Sequence, residues 1–329
     1  MPYQPPFSIN NDVLTLVAAV SERLGQLHSW YDAERELRLR RINRIRTVTG
    51  SLAIEGNTLT EAQITALLDG KLVIAPPREI QEAKNALDAY ERMTQWQPHH
   101  ESDLLNAHKT LMLGLIDSAG MYRSGGVGVF AGNQVLHMAP PAKQVPRLMA
   151  DLFHWLQTTK THPLVASCVF HFEFEFIHPF ADGNGRMGRL WQTLILSHWH
   201  PLFATLPVES LVHQHQAAYY QAIQDSTAQT DCAPFIHFML SMIRDTLERF
   251  VTAQVTAQVT AQADEQVQRL LNVMAAQTYY STQELMQRVG LTHRESFRKI
   301  YLKPALAQGV ITMLLPDKPN SPKQQYCKT

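Results

Sequence analysis

The chemically richest stretch of the chain runs from His178 to Arg189 and reads His-Pro-Phe-Ala-Asp-Gly-Asn-Gly-Arg-Met-Gly-Arg. Gly183 and Gly185 let backbone N–H groups approach an anion closely, and the helical spacing that follows supplies the positive end of a helix dipole. Arg186 is three residues from Arg189, so both guanidinium groups can bind one polyphosphate. The stretch therefore predicts a site for the phosphates of a nucleotide.

Two further side chains of this loop suit group transfer at phosphorus. Asp182 is an acid among phosphate-binding groups, which fits Mg²⁺, because this ion takes one or two carboxylates and completes its shell with waters and phosphates. His178 is suited to take a proton from an attacking hydroxyl, because histidine titrates near neutral pH. A mere tight turn would leave these residues unexplained. The loop is neither a Walker A motif nor a dinucleotide fingerprint, since no Gly-Lys-(Ser/Thr) follows and no strand precedes it.

The same twelve residues resemble the signature of the Fic family, His-x-Phe-x-(Asp/Glu)-Gly-Asn-Gly-Arg-x-x-Arg, at every specified position. A second segment, Ser51-x-x-x-Glu55-Gly56, is similar to the autoinhibitory motif (Ser/Thr)-x-x-x-Glu-(Gly/Asn) of members whose inhibitory helix precedes the core. Taken alone, Ser51 and Glu55 would be two surface residues on one helix face beside a cap. With the signature present, we interpret them as an inhibitory pair.

The resemblance implies a protein adenylyltransferase, which moves AMP from ATP with Mg²⁺ to a Ser, Thr or Tyr hydroxyl of a target protein and releases pyrophosphate. It also implies inhibition, because pairing of Glu55 with Arg189 would remove the partner of the γ-phosphate. The implied roles are His178 as base, Asp182 as Mg²⁺ ligand, Gly183, Asn184 and Gly185 as lining of the anion hole, Arg186 for the α- and β-phosphates, and Arg189 for the γ-phosphate.

Three alternatives stay open at this point. The chain is a DNA-binding regulator whose Fic core senses a nucleotide, or it transfers another nucleotide monophosphate, since no residue here specifies the base. In some family members the same glutamate supports removal of AMP, so de-AMPylation is the third alternative. The partners to test are ATP, a target protein of unknown identity, the chain itself through self-AMPylation, a second copy in a homodimer, and DNA.

Helical spacing through most of the first 250 residues predicts a mainly α fold, and the family resemblance specifies a Fic-type helical bundle with a β-hairpin flap. A small winged helix-turn-helix domain is expected to follow it. The predicted division is a helical region at 1–95 with the inhibitory helix at about 47–56, a catalytic core at 96–250, a Val-Thr-Ala-Gln repeat linker at 251–264, and the winged helix at 265–329.

The clearest β signal runs from Val127 to Met138, with a turn at Gly132-Asn133. A lone hairpin either decorates a loop or accepts a strand of another chain through its free edge. The segment resembles the flap with which the family binds its target protein. On that basis Val127, Gly128 and Val129 are the expected target contacts.

The end of the chain has a local charge excess that the total hides. From Leu285 to Thr329 there are eight Lys or Arg residues and two acidic ones. The expected recognition helix carries four basic side chains, and two lysines lie in the expected wing, which is compatible with DNA binding. Winged helices also dock proteins and form dimers, so both interpretations stay open. The residues are His293, Arg294, Arg298, Lys299, Lys318 and Lys323.

Composition excludes several classes of protein. The 329 residues carry 29 basic and 29 acidic side chains, so a strongly basic nucleic-acid binder is excluded. Three cysteines without Cys-x-x-Cys spacing argue against a disulfide framework and a zinc knuckle, and they favour a reducing compartment. No signal-peptide pattern and no run of about 18 apolar residues occurs, so we expect a cytoplasmic protein that does not bind a membrane.

Overall fold

Helices form most of the chain in the computed structural model, which describes residues 3–27, 33–126, 128–131, 134–319 and 321–329. The chain divides into two units, Met1–Arg249 and Phe250–Thr329. The helices up to the second unit are α1 (Asn11–Leu27), α2 (Ala33–Ile54), α3 (Glu61–Leu68), α4 (Pro77–Arg92), α5 (Glu101–Leu111), α6 (Val145–Thr158), α7 (Pro163–Ile177), α8 (Asn184–Trp199), α9 (Val208–Gln214), α10 (Gln216–Gln229) and α11 (Ala233–Asn272). The predicted mainly α fold is confirmed.

α7 and α8 form the centre of the first unit and pack against each other. α7 is apolar on nearly every side, which is the pattern of a helix buried all round. It begins at Pro163, whose missing N–H costs nothing at a helix start, and the His162 ring accepts a bond from the next free N–H. It ends at His178 in a left-handed conformation with φ of 50°. The chain then reverses and re-enters helix at Asn184.

The predicted inhibitory segment is the last part of α2 and not a separate helical turn. The chain has no proline between Arg46 and Ser51, and Val48 and Leu52 extend one buried stripe across that boundary. α2 ends where Gly56 takes φ of 89°, and the Asn57 N–H donates to the Leu52 carbonyl. The helix therefore delivers Ser51 and Glu55 at its C-terminal end.

Gly50 brings α2 against the start of α9. A Cβ atom added at Gly50 would lie 2.5 Å from the Ser210 backbone nitrogen and 2.7 Å from the Glu209 carbonyl carbon. These are backbone atoms, which cannot rotate away as a flexible side chain would. The contact could not be predicted from the sequence, because a single glycine in a helical pattern indicates only a weaker helix at that position.

Replacing Gly50 by alanine is expected to lower the free energy of unfolding by about 1–3 kcal/mol. Alanine favours helix over glycine by up to about 1 kcal/mol, but the backbone clash outweighs that gain. Urea unfolding of the variant measures the difference. Gly25→Ala in α1 is the matched control, because nothing lies within 4 Å of an added Cβ there. It should stabilise the protein, and equal effects of the two substitutions would contradict the prediction.

The predicted hairpin is present as β1 (Gly128–Ala131) and β2 (Gln134–Met138), paired antiparallel. The register runs from Gly128 opposite Met138 to Ala131 opposite Gln134, with an irregularity between Val129 and Phe130. The predicted turn at 132–133 lies outside the described residues.

The second unit contains a three-stranded antiparallel sheet and short helices over one apolar core. Its order is β3 (Tyr279–Ser281), α12 (Thr282–Val289), α13 (Arg294–Phe297), α14 (Lys303–Ala307), β4 (Ile311–Met313) and β5 (Gln325–Lys328), and β5 is central in the sheet. A π-helical turn, Arg298–Leu302, separates α13 from α14. Pro304 lies just beyond it and lacks the N–H that an α-helical ladder would need there.

The Val-Thr-Ala-Gln repeat, residues 251–262 of the expected linker at 251–264, lies within α11. The three cysteines are buried free thiols. Among the described residues, no helix is long and apolar enough to cross a membrane.

Candidate active site

The signature residues form the turn between α7 and α8, so the buried central helices fix both ends of the loop. Phe180 is fully buried and stacks on the His108 ring of α5, with ring centroids 3.6 Å apart and planes 4° from parallel. Asn184 closes the turn, because its side-chain oxygen accepts from the Phe180 N–H and its amide donates to the Phe180 carbonyl, both at 2.9 Å. The Asn184 side chain thus shapes the loop, and its backbone N–H belongs to the first turn of α8.

His108 is a positioning residue that the sequence did not single out among fifteen histidines. Its Nδ1 accepts from the Gly120 N–H at 2.9 Å, so Nε2 carries the hydrogen and donates to the Asp182 carbonyl at 3.0 Å. Burial lowers the pKa of His108 to about 4, and the bond to the Asp182 carbonyl offsets only part of this shift. The ring is therefore neutral at physiological pH and holds the backbone beside Gly183.

This neutral histidine predicts a pH dependence of stability. Its pKa is about 4 when folded and 6.5 when unfolded, so the unfolded chain binds more protons between these values. The contribution of neutral His108 to the free energy of unfolding is therefore fully present above pH 6.5 and is lost as the pH falls toward 4. The loss should approach roughly 3 kcal/mol, since one pKa unit corresponds to about 1.4 kcal/mol. Urea unfolding across this range should show a steeper pH dependence for the wild type than for His108→Gln, and equal slopes would refute the assignment.

Arg123 is 5% exposed and binds the backbone of the loop between α7 and α8. Its guanidinium donates to the carbonyl oxygens of His178 at 2.7 Å, Pro140 at 2.6 Å and Ile177 at 3.2 Å. Its own N–H donates to the Pro179 carbonyl at 3.0 Å. Arg123 precedes the hairpin in the chain, and its bonds connect the backbone that follows the hairpin to the loop between α7 and α8.

His178 has the geometry of a general base. Its Nδ1 faces the Glu175 backbone carbonyl at 3.4 Å and the Glu175 carboxylate at 3.9 Å. These oxygens favour hydrogen on Nδ1 and leave Nε2 to accept a proton. Burial raises the pKa of Glu175, but His171, His178 and Arg189 lower it by a larger amount, so the carboxylate is ionised. Gly188 makes room for it, because an added Cβ would lie 2.8 Å from Glu175 Oε1.

Gly183 and the first turn of α8 carry the residues that the sequence predicts as an anion cradle. Gly183 has φ of 84°, which favours glycine, and an added Cβ would overlap the Met112 side chain. At Gly185 an added Cβ would overlap Glu55 Oε1. The Glu55 carboxylate therefore lies directly against the backbone that the sequence assigned to an anion, close to Arg189.

Arg189 is held by the residues of the second motif. Its NH2 donates to Glu55 Oε1 at 2.7 Å and to the Ser51 carbonyl at 3.0 Å, and its Nε donates to Ser51 Oγ at 3.2 Å. Arg189 and Ser51 are each 2% exposed. Burial lowers the pKa of the guanidinium, but Glu55 and neighbouring groups raise it above its ordinary value, so Arg189 stays charged. The structure thus unites two motifs that lie 134 residues apart.

Asp182 and Arg186 belong to a second group of charges. Asp182 contacts Arg186 at 3.3 Å and Arg78 of α4 at 3.1 Å. Glu82, also on α4, lies 3.5 Å from Arg186 and 3.4 Å from Arg78. Neither residue of α4 was singled out by sequence analysis, since an isolated Arg and Glu on a helix normally form a solvated surface pair.

The donor chemistry of Asp182 fits magnesium. Its carboxylate is 41% exposed, and one carboxylate with phosphates and waters satisfies this ion. Among the described residues, no group of three or more His, Cys, Asp or Glu side chains could hold a metal by itself. Any ion here would therefore take most of its ligands from the nucleotide and from water.

The remaining predicted contacts are not all tested by this geometry. Gly128 and Val129 lie in β1, whereas Val127 lies outside the described residues. Tyr219 is 2% exposed and donates its hydroxyl to His171 at 3.1 Å. It packs in the core.

Comparison with protein families gives two matches. Residues 98–196 match the Fic/DOC family, and residues 265–329 match the C-terminal domain of the Fic-like "Filamentation induced by cAMP" proteins. The first range contains the whole signature. The second begins at the residue where sequence analysis placed the start of the final domain.

Individual relatives agree with these matches. A Fic family protein from Desulfovibrio desulfuricans G20 has a crystal structure 51% identical to this chain, with a TM-score of 0.75 over 99% of this chain and 98% of that one. "Protein adenylyltransferase fic-1" of Caenorhabditis briggsae is 31% identical over 62% of this chain and 40% of that protein, and "Protein adenylyltransferase Fic" of Culex quinquefasciatus is 28% identical over 64% and 42%. The chain thus spans about two fifths of these curated relatives. Fic-1 from C. elegans, 22% identical with a TM-score of 0.63, shares the fold.

Proposed function

The chain belongs to the Fic family, and from this premise we propose that it is a protein adenylyltransferase restrained by its own α2 helix. The relatives named as adenylyltransferases support a Fic-type transferase that uses ATP. The observation that carries the proposal is the convergence of two motifs on Arg189, whose Nε and NH2 donate to Ser51 and Glu55.

The proposed reaction moves AMP to a protein hydroxyl. The hydroxyl oxygen attacks the α-phosphorus of ATP, its proton passes to Nε2 of His178, and the bond between the α-phosphorus and the bridging oxygen breaks to release pyrophosphate. Backbone N–H groups at the start of α8 and the guanidinium groups of Arg186 and Arg189 would bind the phosphates. Such a site accelerates the reaction mainly through positioning and charge stabilisation.

Asp182 would hold Mg²⁺, which supplies positive charge to the phosphates when it is bound. To do so, the Asp182 carboxylate has to release Arg78 and bind the ion instead. Since Asp182 and Arg78 are both partly exposed, their ion pair contributes little and the exchange costs little. His108 and the Gly183 N–H keep the Asp182 segment in place during this exchange.

We propose that Glu55 inhibits by occupying the γ-phosphate position. The carboxylate pairs with Arg189 and lies against Gly185, so an incoming γ-phosphate would meet a negative charge and no free guanidinium. ATP could then bind only with its α-phosphate displaced from the line of attack. Turnover requires that the end of α2 moves or that Glu55 leaves Arg189.

The test compares two labels in ATP with Mg²⁺ and the Glu55→Gly protein. Label from the α-phosphate should become protein-bound, label from the γ-phosphate should not, and intact mass should rise by one AMP. Label from the γ-phosphate would show phosphotransfer and reject the proposal. Transfer from UTP, CTP or GTP in preference to ATP would keep the mechanism and change the donor. Sequence-dependent DNA retention without any ATP turnover would favour the regulator.

A further inference from the structure

We propose that Glu82 of α4 is a positioning residue that holds Arg186 ready for phosphate without using up its hydrogen-bond donors. The inference rests on the proposed function and deepens it, because it assigns part of the nucleotide site to a helix outside the signature. Glu82 Oε1 lies 3.5 Å from Arg186 NH1 and 3.4 Å from Arg78 Nε.

The two signature arginines are held in different ways. Arg189 donates hydrogen bonds to Ser51 and Glu55, and the bond to Glu55 is short, at 2.7 Å. Arg186 is equally buried, but its contact with Glu82 is a longer ion pair, and its bond to Asp182 is 3.3 Å. Within the described part of the chain, Arg186 Nε is buried and has no hydrogen-bond partner. A buried N–H without a hydrogen-bond partner costs free energy, and a phosphate oxygen could accept the hydrogen bond from Arg186 Nε.

Charge balance requires the carboxylate at this place. Arg186 is 5% exposed, and a buried guanidinium needs an opposite charge nearby. Asp182 supplies one in the resting state, but it would turn to Mg²⁺ when the nucleotide binds. Glu82 would then be the carboxylate that remains beside Arg186. Its ion pair fixes the direction of the guanidinium while Nε stays available.

Glu82 is itself fixed from the other side. Asn57 donates its side-chain amide to Glu82 Oε2 at 3.0 Å and to the Glu79 carbonyl at 3.2 Å. The Asn57 N–H also closes the end of α2, where it bonds the Leu52 carbonyl at 3.2 Å. The turn that carries Glu55 is thus in contact with the support of Arg186.

The test measures nucleotide binding and turnover in the Glu55→Gly background. Glu82→Gln keeps the shape and removes the charge, and it should weaken Mg²⁺-ATP and Mg²⁺-ADP by the same factor, about 10- to 100-fold, the range typical of residues that orient a ligand-binding group. The two losses of affinity should be equal, because ADP lacks only the γ-phosphate and Glu82 does not position a group that binds it. The loss should appear in KM for ATP more than in kcat.

Two variants control this test. Glu79→Gln lies one turn earlier on α4 and bonds Thr58, so it should leave both affinities unchanged. Glu82→Asp retains the charge and should recover part of the affinity, and it replaces Glu82→Gln if that protein does not fold.

Calorimetric binding does not depend on turnover, so it separates this inference from the proposed function. Suppose that the Glu55→Gly parent is inactive but binds ATP normally, and that Glu82→Gln lowers this affinity. The proposed AMP transfer would then be wrong, whereas the positioning role of Glu82 would stand. Unchanged affinities in a folded Glu82→Gln protein would overturn the positioning role. Tighter ATP binding with faster turnover would overturn it too, because Glu82 would then compete with phosphate as Glu55 does.

Discussion

Replacing Glu55 by glycine is expected to raise AMP transfer by roughly 10- to 150-fold. The γ-phosphate must displace the Glu55 carboxylate from Arg189, and a hydrogen bond to a charged group is worth about 1.5–3 kcal/mol. Since each 1.4 kcal/mol corresponds to about tenfold, removal of the competing carboxylate should lower the barrier by that factor. Initial rates of protein labelling from α-labelled ATP, with self-modification as the first readout, measure the gain.

A graded series separates this effect from general loosening of α2. Ser51→Ala removes the Oγ acceptor of Arg189 Nε and keeps the Glu55 carboxylate, so its gain should be smaller. Glu55→Gln removes the charge and keeps the size, and it should approach the glycine variant. If Glu55→Gly and wild type label at the same rate while both bind ATP, the inhibitory role of Glu55 is wrong.

Replacing His178 by alanine in the Glu55→Gly protein should reduce transfer by about 10²- to 10⁴-fold, the range for loss of a general base. The loop should remain in place, because Phe180, Asn184 and Arg123 hold its backbone through contacts that do not use the imidazole. The affinity for Mg²⁺-ATP should therefore change little, and the loss should lie in kcat. Single-turnover labelling and calorimetry measure the two quantities separately.

The exposed His213 of α9 provides the matched histidine control. His213→Ala should label at the rate of its parent. Full activity of a folded His178→Ala variant would exclude His178 as the base. An equal loss in both histidine variants would point to an unspecific effect on the protein.

The sequence predicted the loop well because its chemistry is local. Two glycines, an acid and two arginines within eight residues define an anion site at a helix start before any fold is known. The helix before the loop also carries local signals, since a proline and a change of pattern mark the two ends of α7.

The contacts between helices that are distant in the chain could not be predicted from local patterns. His108 and Glu82 contact the site from α5 and α4, Gly50 brings α2 against α9, and each is an ordinary residue of a helical pattern. Their effect depends on which helices pack together and at what distance. Spacing along one helix carries no information about that.

By itself, the sequence determined that the chain is mainly helical, that a loop with glycines, arginines, an acid and a histidine joins two helices, and that a Ser-x-x-x-Glu segment precedes it. The family resemblance already implied that this segment meets Arg189, whereas only the tertiary structure decided that Arg186 stands between Asp182 and Glu82 and that His108 is neutral. The physical reason is range: helix periodicity and backbone conformation are set by near neighbours, whereas the burial and charge of a side chain depend on residues that folding brings from far along the chain.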